Sequence, residues 1–224
     1  MSINIAIDGP AGAGKSTVAR RAAKELGFIY VDTGAMYRAI ALYLIRQGVK
    51  PEEKEVIAER CKGADVSIAY QDGEQIVSLN GENVNGLIRT DEVTRMSSAA
   101  SAVPAVRARL LDLQRGLAAE HNVIMDGRDI GTCILPDADV KIFLTASTAV
   151  RAKRRFDELA ARGDTSETFQ SVEAKIIKRD EDDRNREISP LREAEDAVHL
   201  DTSDMTIDQA VDAVLSICRQ KGCI

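Results

Sequence analysis

No stretch of this chain constrains its fold more than Gly9-Pro10-Ala11-Gly12-Ala13-Gly14-Lys15-Ser16-Thr17. It matches the pattern G-x-x-x-x-G-K-S/T and lies between a short apolar run, Ile3–Ile7, and a helix-compatible run, Val18–Leu26. Strand, turn and helix in that order are what the pattern needs. Glycines let the backbone curl so that successive N–H groups point inward around phosphate oxygens, and the following helix adds its positive N-terminal end. Lys15 then reaches the β- and γ-phosphates, and Ser16 offers its hydroxyl to Mg²⁺ with Thr17 beside it. An ordinary glycine-rich turn would not need Gly14-Lys15-Ser16 directly at a helix start. The motif predicts a nucleotide phosphate site.

At 224 residues the chain has room for one domain carrying an insert and for a substantial core. Hydrophobic residues at 44% and charged residues at 29% fit a water-soluble globular protein, and a net charge of −6 argues against nonspecific binding to a nucleic acid polymer. No run reaches membrane-spanning length, and no basic start with a long apolar stretch marks a secretory leader. Cys61, Cys133, Cys218 and Cys223 are scattered without zinc or disulfide spacing, so a reducing cytoplasm is the expected location.

Along the chain, Ile3–Ile7, Phe28–Val31, Asn122–Asp126, Val140–Leu144 and Asp196–Leu200 read as strands, the apolar ones as buried parallel strands. Helices alternate with them, which predicts a parallel α/β sheet. Val66–Tyr70 and Gln75–Leu79 instead alternate around Gln71-Asp72-Gly73, a hairpin signature, and an antiparallel insert is expected over about residues 63–94. Ligands of open α/β sheets gather beyond the carboxyl ends of the strands. Thr33, Tyr37 and Arg38 follow one such end, where Arg38 can clamp a phosphate and Tyr37 can border a base; equally, Asp32 or Thr33 can simply cap a helix over a packed Tyr37. Gly127-Arg128-Asp129 follows another, offering a phosphate clamp with a metal-linked carboxylate or a turn with an internal ion pair.

In the helix opened by Pro104, Val106, Leu110, Leu113 and Leu117 form the expected buried stripe, and the position of Arg107 off that stripe favours a solvated charge. After Ser147, the expected stripe is Ala149, Ala152, Phe156 and Leu159, which leaves Arg151, Arg154 and Arg155 on a solvated face. Arg179, Asp183 and Arg186 are spaced i, i+4, i+7 on a later helix. Two arginines held by the intervening aspartate suit a lid that closes over phosphates; a surface salt bridge is the plainer alternative.

The segments Gly9–Thr17, Asp32–Arg38, Asp126–Thr132 and Arg179-Asp180-x-x-Asp183-Arg184-Asn185-Arg186, together with the strand-rich insert, resemble bacterial cytidylate kinases over nearly the whole chain. The resemblance implies a P-loop kinase-type sheet flanked by helices, with a helical lid and transfer of the ATP γ-phosphoryl group to CMP or dCMP using Mg²⁺. It also implies a cytoplasmic monomer. It divides the single domain into a core of residues 1–33, 95–150 and 195–224, an acceptor-binding region 34–94 and a lid 151–194. By position, Thr33 (serine in some relatives), Tyr37, Arg38, Ser98, Arg107, Arg128 and Asp129 match acceptor-pocket residues. Arg179, Asp183 and Arg186 match lid and pentose contacts, and Arg151 and Arg155 match contacts to ATP. Lys15, Arg128, Asp129, Arg179 and Arg186 are the expected catalytic group, with Ser16 toward the metal. Two other outcomes stay open: a regulatory protein that hydrolyses ATP without an acceptor, and a different small-molecule kinase on the same fold.

Overall fold

Five short strands lie side by side and parallel in the computed structural model, which describes residues 2–161 and 163–224. They are β1 (Asn4–Asp8), β2 (Ile29–Asp32), β6 (Val123–Gly127), β7 (Val140–Thr145) and β8 (Val198–Asp201), in the order β2-β6-β1-β7-β8. Because side chains alternate along a strand, Ile5 and Ile7 of β1 enter one core while Ala6 enters the other. The first core is closed by α1 (Lys15–Leu26) and α8 (Ile207–Gln220). The second is closed by α2 (Thr33–Arg46), α3 (Lys54–Arg60), α4 (Asp91–Ser101) and α5 (Pro104–Glu120). Both faces are covered, which is why β1, β2, β6 and β7 read as mainly apolar runs rather than as alternating ones.

The insert is an antiparallel sheet of β3 (Val66–Gln71), β4 (Glu74–Leu79) and β5 (Glu82–Asn83), as the alternating pattern predicts. It settles against β2, an edge strand whose outer backbone groups would otherwise lack partners. The Asp32 N–H donates to Gln75 Oε1 at 2.8 Å, Gln75 Nε2 donates to the Asp32 carbonyl at 3.3 Å, and the Tyr70 hydroxyl donates to the Tyr30 carbonyl at 3.1 Å. Side chains of the insert thereby satisfy the edge without extending the sheet.

Beyond β7, α6 (Thr148–Ala161) and α7 (Phe169–Asn185) pack on each other around Ala152, Val172 and Ile176. Ala152, Phe156 and Leu159 face this small core as expected, whereas Ala149 is exposed. The expected stripe begins one turn too early, because the chain has only just entered the helix at Thr148.

Helix α4 goes beyond the sequence expectations, and it starts inside the span assigned to the insert. Its signal is nonetheless present: Thr90 caps it by accepting from Val93 N, and Val93, Met96 and Ala100 make a buried row.

Gly9 leaves β1 at φ 148°, and a Cβ there would lie 2.0 Å from the Leu144 carbonyl oxygen of β7. No ordinary side chain fits between the loop and that strand. Gly9→Ala is expected to cost more than about 2 kcal/mol of folding stability from backbone strain and displacement of β7. Urea unfolding measures this, and an unchanged midpoint would contradict the assigned packing.

Candidate active site

The glycine-rich loop joins β1 to α1, with Gly14 at φ 90° as the cap of α1 and its carbonyl accepting from Thr17 N and Val18 N, both at 3.1 Å. Lys15 is buried, and its Nζ donates to the Pro10 carbonyl at 2.8 Å, so the ammonium lies folded across the loop. Burial, reinforced by nearby Arg128, draws its pKa down to about 7. The cation is held ready in a place that favours an arriving anion.

Two arginines of α6 brace the loop from outside. Arg151 is 3% exposed; it donates to the carbonyls of Ala11 and Ala146, both at 2.9 Å, and to Asp180 at 2.6 Å. This corrects the expectation of a solvated face, since the guanidinium ties the loop to α7. Arg154 donates to the Ala13 carbonyl at 3.2 Å and to the Thr202 carbonyl at 2.7 Å. Arg155, expected by resemblance to touch ATP, lies on the same helix near Glu158 at 3.3 Å and Asp91 at 3.9 Å.

Asp8, Asp32 and Asp126 end β1, β2 and β6, so three carboxylates share the rim on which the loop sits. Asp126 is buried and accepts from Ser16 Oγ at 2.9 Å and from the Tyr30 hydroxyl at 2.8 Å, while Thr33 Oγ1 donates to its carbonyl at 2.7 Å. Burial, with Asp32 nearby, pushes its carboxyl pKa up. A buried carboxylate bonded only to neutral hydroxyls, beside a serine hydroxyl of the loop, is a hard oxygen pair that fits Mg²⁺. Among the described residues no cluster of three acidic, His or Cys side chains forms a metal cage.

Of the two alternatives its sequence left open, Asp129 shows the ion pair. Both its oxygens are engaged, one by a close ion pair with Arg107 and the other by Arg186 at 3.4 Å. Arg107 is accordingly buried, against the solvated position inferred from its helix, and its guanidinium lies 5.6 Å from the ring centre of Tyr37. Burial pushes the Tyr37 hydroxyl up to about 12. Asp183 does not bridge the two arginines of its own helix face; it accepts from Arg128 Nε at 2.8 Å, joining α7 to the end of β6. Burial works against the Arg128 charge, but Asp183 outweighs it and raises the pKa.

Arg179 is different. Among the described residues its Nε has no hydrogen-bond partner, and burial, with Arg128 and Arg38 close by, lowers its pKa to about 10. Arg38 folds over Gly34, where an added Cβ would meet its guanidinium at 3.1 Å, and burial lowers its pKa too. Lys15, Arg38, Arg128 and Arg179 thus bring their positive charges together at the strand ends. Ser98 lines an adjoining cavity of about 250 Å³ with Arg95, Ala99, Asp182, Asp183 and Arg186.

The sequence expectations gave no site role to Asp8, Asp126, Arg154 or Gln114. Asp126 carries the clearest signal, a carboxylate closing an apolar strand directly before Gly127-Arg128. Gln114 carries none: it is buried on α5 beside the Tyr37 hydroxyl.

A parallel sheet with this loop at one strand end, and guanidinium groups gathered near it from other elements, defines a P-loop phosphotransferase. The family model described as cytidylate kinase matches residues 5–220, and the chain belongs to the cytidylate kinase family. A cytidylate kinase of Caldicellulosiruptor bescii is 47% identical over 215 residues, covering 96% of this chain and 95% of that relative. Another, of Carboxydothermus hydrogenoformans, is 48% identical over 220 residues, covering 98% and 99%. Among solved structures, an uncharacterized protein from Eubacterium ventriosum shares the fold at TM-score 0.51 and 13% identity, covering 96% of this chain and 97% of that one.

Proposed function

We propose that this chain transfers the γ-phosphoryl group of ATP to CMP or dCMP, producing ADP and CDP or dCDP. The observation that carries the proposal is the meeting of Lys15 with Arg38, Arg128 and Arg179, where Arg179 Nε is buried and unpartnered. A single triphosphate tail in the loop would not call for arginines on α2, β6 and α7 as well; a second phosphate beside it would. Gly9–Thr17 hold the donor phosphates, and the arginines hold the acceptor phosphate in line with them. Phosphoryl transfer asks chiefly for that alignment and for neutralisation of charge.

Thr33, Tyr37, Ser98, Arg107, Asp129, Asp183 and Arg186 then hold the nucleoside of the acceptor, and of these Ser98, Asp183 and Arg186 line the 250 Å³ cavity. Asp129 and Arg107 together offer an acceptor and donors to the amino, ring-nitrogen and carbonyl edge of cytosine. Residues 34–94 serve acceptor binding, and residues 151–194 act as a lid that excludes water during transfer. Ser16 and Asp126 would hold Mg²⁺, which when bound would neutralise phosphate charge. No helix among the described residues is long and apolar enough to cross a membrane. The proposed setting is the cytoplasm, with the chain acting as a monomer on small nucleotides and without a nucleic acid polymer.

Purified protein with ATP, Mg²⁺ and each nucleoside monophosphate tests the assignment. CDP or dCDP should form in step with ADP. Preference for UMP, AMP or shikimate, or release of inorganic phosphate alone, would overturn it.

Asp126→Asn keeps the shape beside Ser16 but removes the anionic oxygen. It is expected to raise the Mg²⁺ concentration for half-maximal rate by about 10- to 100-fold, the usual scale for altered metal support. Titrating Mg²⁺ at fixed total ATP reads this directly, and an unchanged requirement would take Asp126 out of the metal site.

A further inference from the structure

Asp8 ends β1 one residue before the phosphate loop, yet its side chain does not bond to that loop. It points to the side of the sheet shared with Ala6, where its Oδ1 accepts from Ile130 N at 2.8 Å and its Oδ2 from Gly131 N at 2.7 Å. Ile130–Ile134 forms a single wide, π-type turn, and Asp129 is the residue that enters it, with φ −150° and ψ 26°. The turn has little freedom to move off Asp8. A Cβ on Gly131 would meet Lys141 Cδ at 3.1 Å and Asp8 Oδ2 at 3.5 Å, while Ile130 and Ile134 are buried in the core below.

Asp129 in turn holds Arg107 from α5 and Arg186 from the end of α7. A line of contacts therefore runs from the strand beneath the donor loop, through two backbone amides, to the ion pairs that shape the acceptor nucleoside site. We propose that Asp8 is a positioning residue for the acceptor: it fixes the turn that aims Asp129, and through Asp129 it sets where Arg107 and Arg186 stand. Its nearness in sequence to Gly9 points to the donor; its hydrogen bonds assign it to the other substrate.

Burial pushes the Asp8 carboxyl up to about 6 against the pull of the two amide bonds. It is thus mainly ionised at neutral pH, the form in which both oxygens accept. An asparagine can accept at one position only, and its NH₂ opposes the second amide.

This inference rests on the proposed transfer to CMP, so the unaltered protein is assayed first; failure to make CDP there refutes that function and is separate from the result for Asp8. With CDP formation established, Asp8→Asn is expected to raise the CMP KM by about tenfold or more while the ATP KM stays within about twofold, because a displaced Asp129 weakens only acceptor contacts. In an Asp129→Asn background the same change should add less than about threefold, since the two residues lie on one path. If Asp8→Asn fails to fold, Gly131→Ala, whose Cβ would press on Lys141 Cδ at 3.1 Å and shift the turn that Asp8 holds, is expected to give the same split between the two KM values. A rise in ATP KM equal to or larger than that in CMP KM, or effects of Asp8→Asn and Asp129→Asn that multiply fully, would overturn the proposal.

Discussion

Lys15→Ala is expected to lower kcat by about 10²- to 10³-fold, the usual consequence of losing one preorganised charge at a developing anion. The side chain is already inside the loop, with Nζ donating to the Pro10 carbonyl 2.8 Å away, so no approach from solvent precedes its use. Burial and Arg128 hold its pKa near 7 without nucleotide, which measures how poorly the free pocket serves a bare cation. Phosphate oxygens reverse that imbalance, and most strongly as charge shifts onto the bridging oxygen during transfer. Removing the cation should therefore reduce turnover far more than it weakens folding. Steady-state kinetics and a thermal melt on the same preparation test both parts. A kcat within a few-fold of the unaltered protein would refute the role of Lys15, and collapse of the fold would show it to be structural.

The same physics decides which parts of the molecule were legible in the sequence. Local pattern was enough for the five-stranded sheet, because a strand buried on two faces is mainly apolar, and Ile3–Ile7 and Val140–Leu144 are interrupted only by Asn4 and by Lys141, whose ammonium reaches Asp196. The loop was legible because glycine spacing and the following lysine act within nine residues. Ion pairs between distant elements were not. Arg107 lies off the stripe of α5 and reads as solvated until β6 delivers Asp129, 22 residues later, against it. Arg151 changes from a surface charge to a buried brace for the same reason, its partner Asp180 being 29 residues away on α7. The three aspartates at the strand ends escaped joint notice since only the parallel register places Asp32 opposite Asp126 and Asp8 opposite Gly127. Motif likeness located the neighbourhood of the site; tertiary pairing decided the work of each carboxylate within it.

Arg179→Met is expected to separate activity from stability in opposite directions. Most arginines of the site are already employed in the unliganded fold: Arg128 by Asp183, Arg107 and Arg186 by Asp129, Arg151 by Asp180. Arg179 has no such bond at Nε, and burial beside Arg128 pulls its pKa to about 10. A basic group whose pKa is lower in the fold than in the unfolded chain is protonated less readily in the fold, so at neutral pH its charge opposes folding. Methionine keeps a long flexible stem and discards the charge, which should raise the melting temperature by about 2–4 °C if roughly 1 kcal/mol is recovered. In the proposed reaction the same guanidinium neutralises the phosphoryl group passing between substrates, a role in which arginines contribute about 10³- to 10⁵-fold. Turnover of CMP should fall by that order even with both substrates saturating. Such a trade marks a residue retained for chemistry at the expense of folding. A variant that is less stable and still active would show that Arg179 serves the helix it stands on, and a variant losing both would show that its charge is compensated in the fold after all.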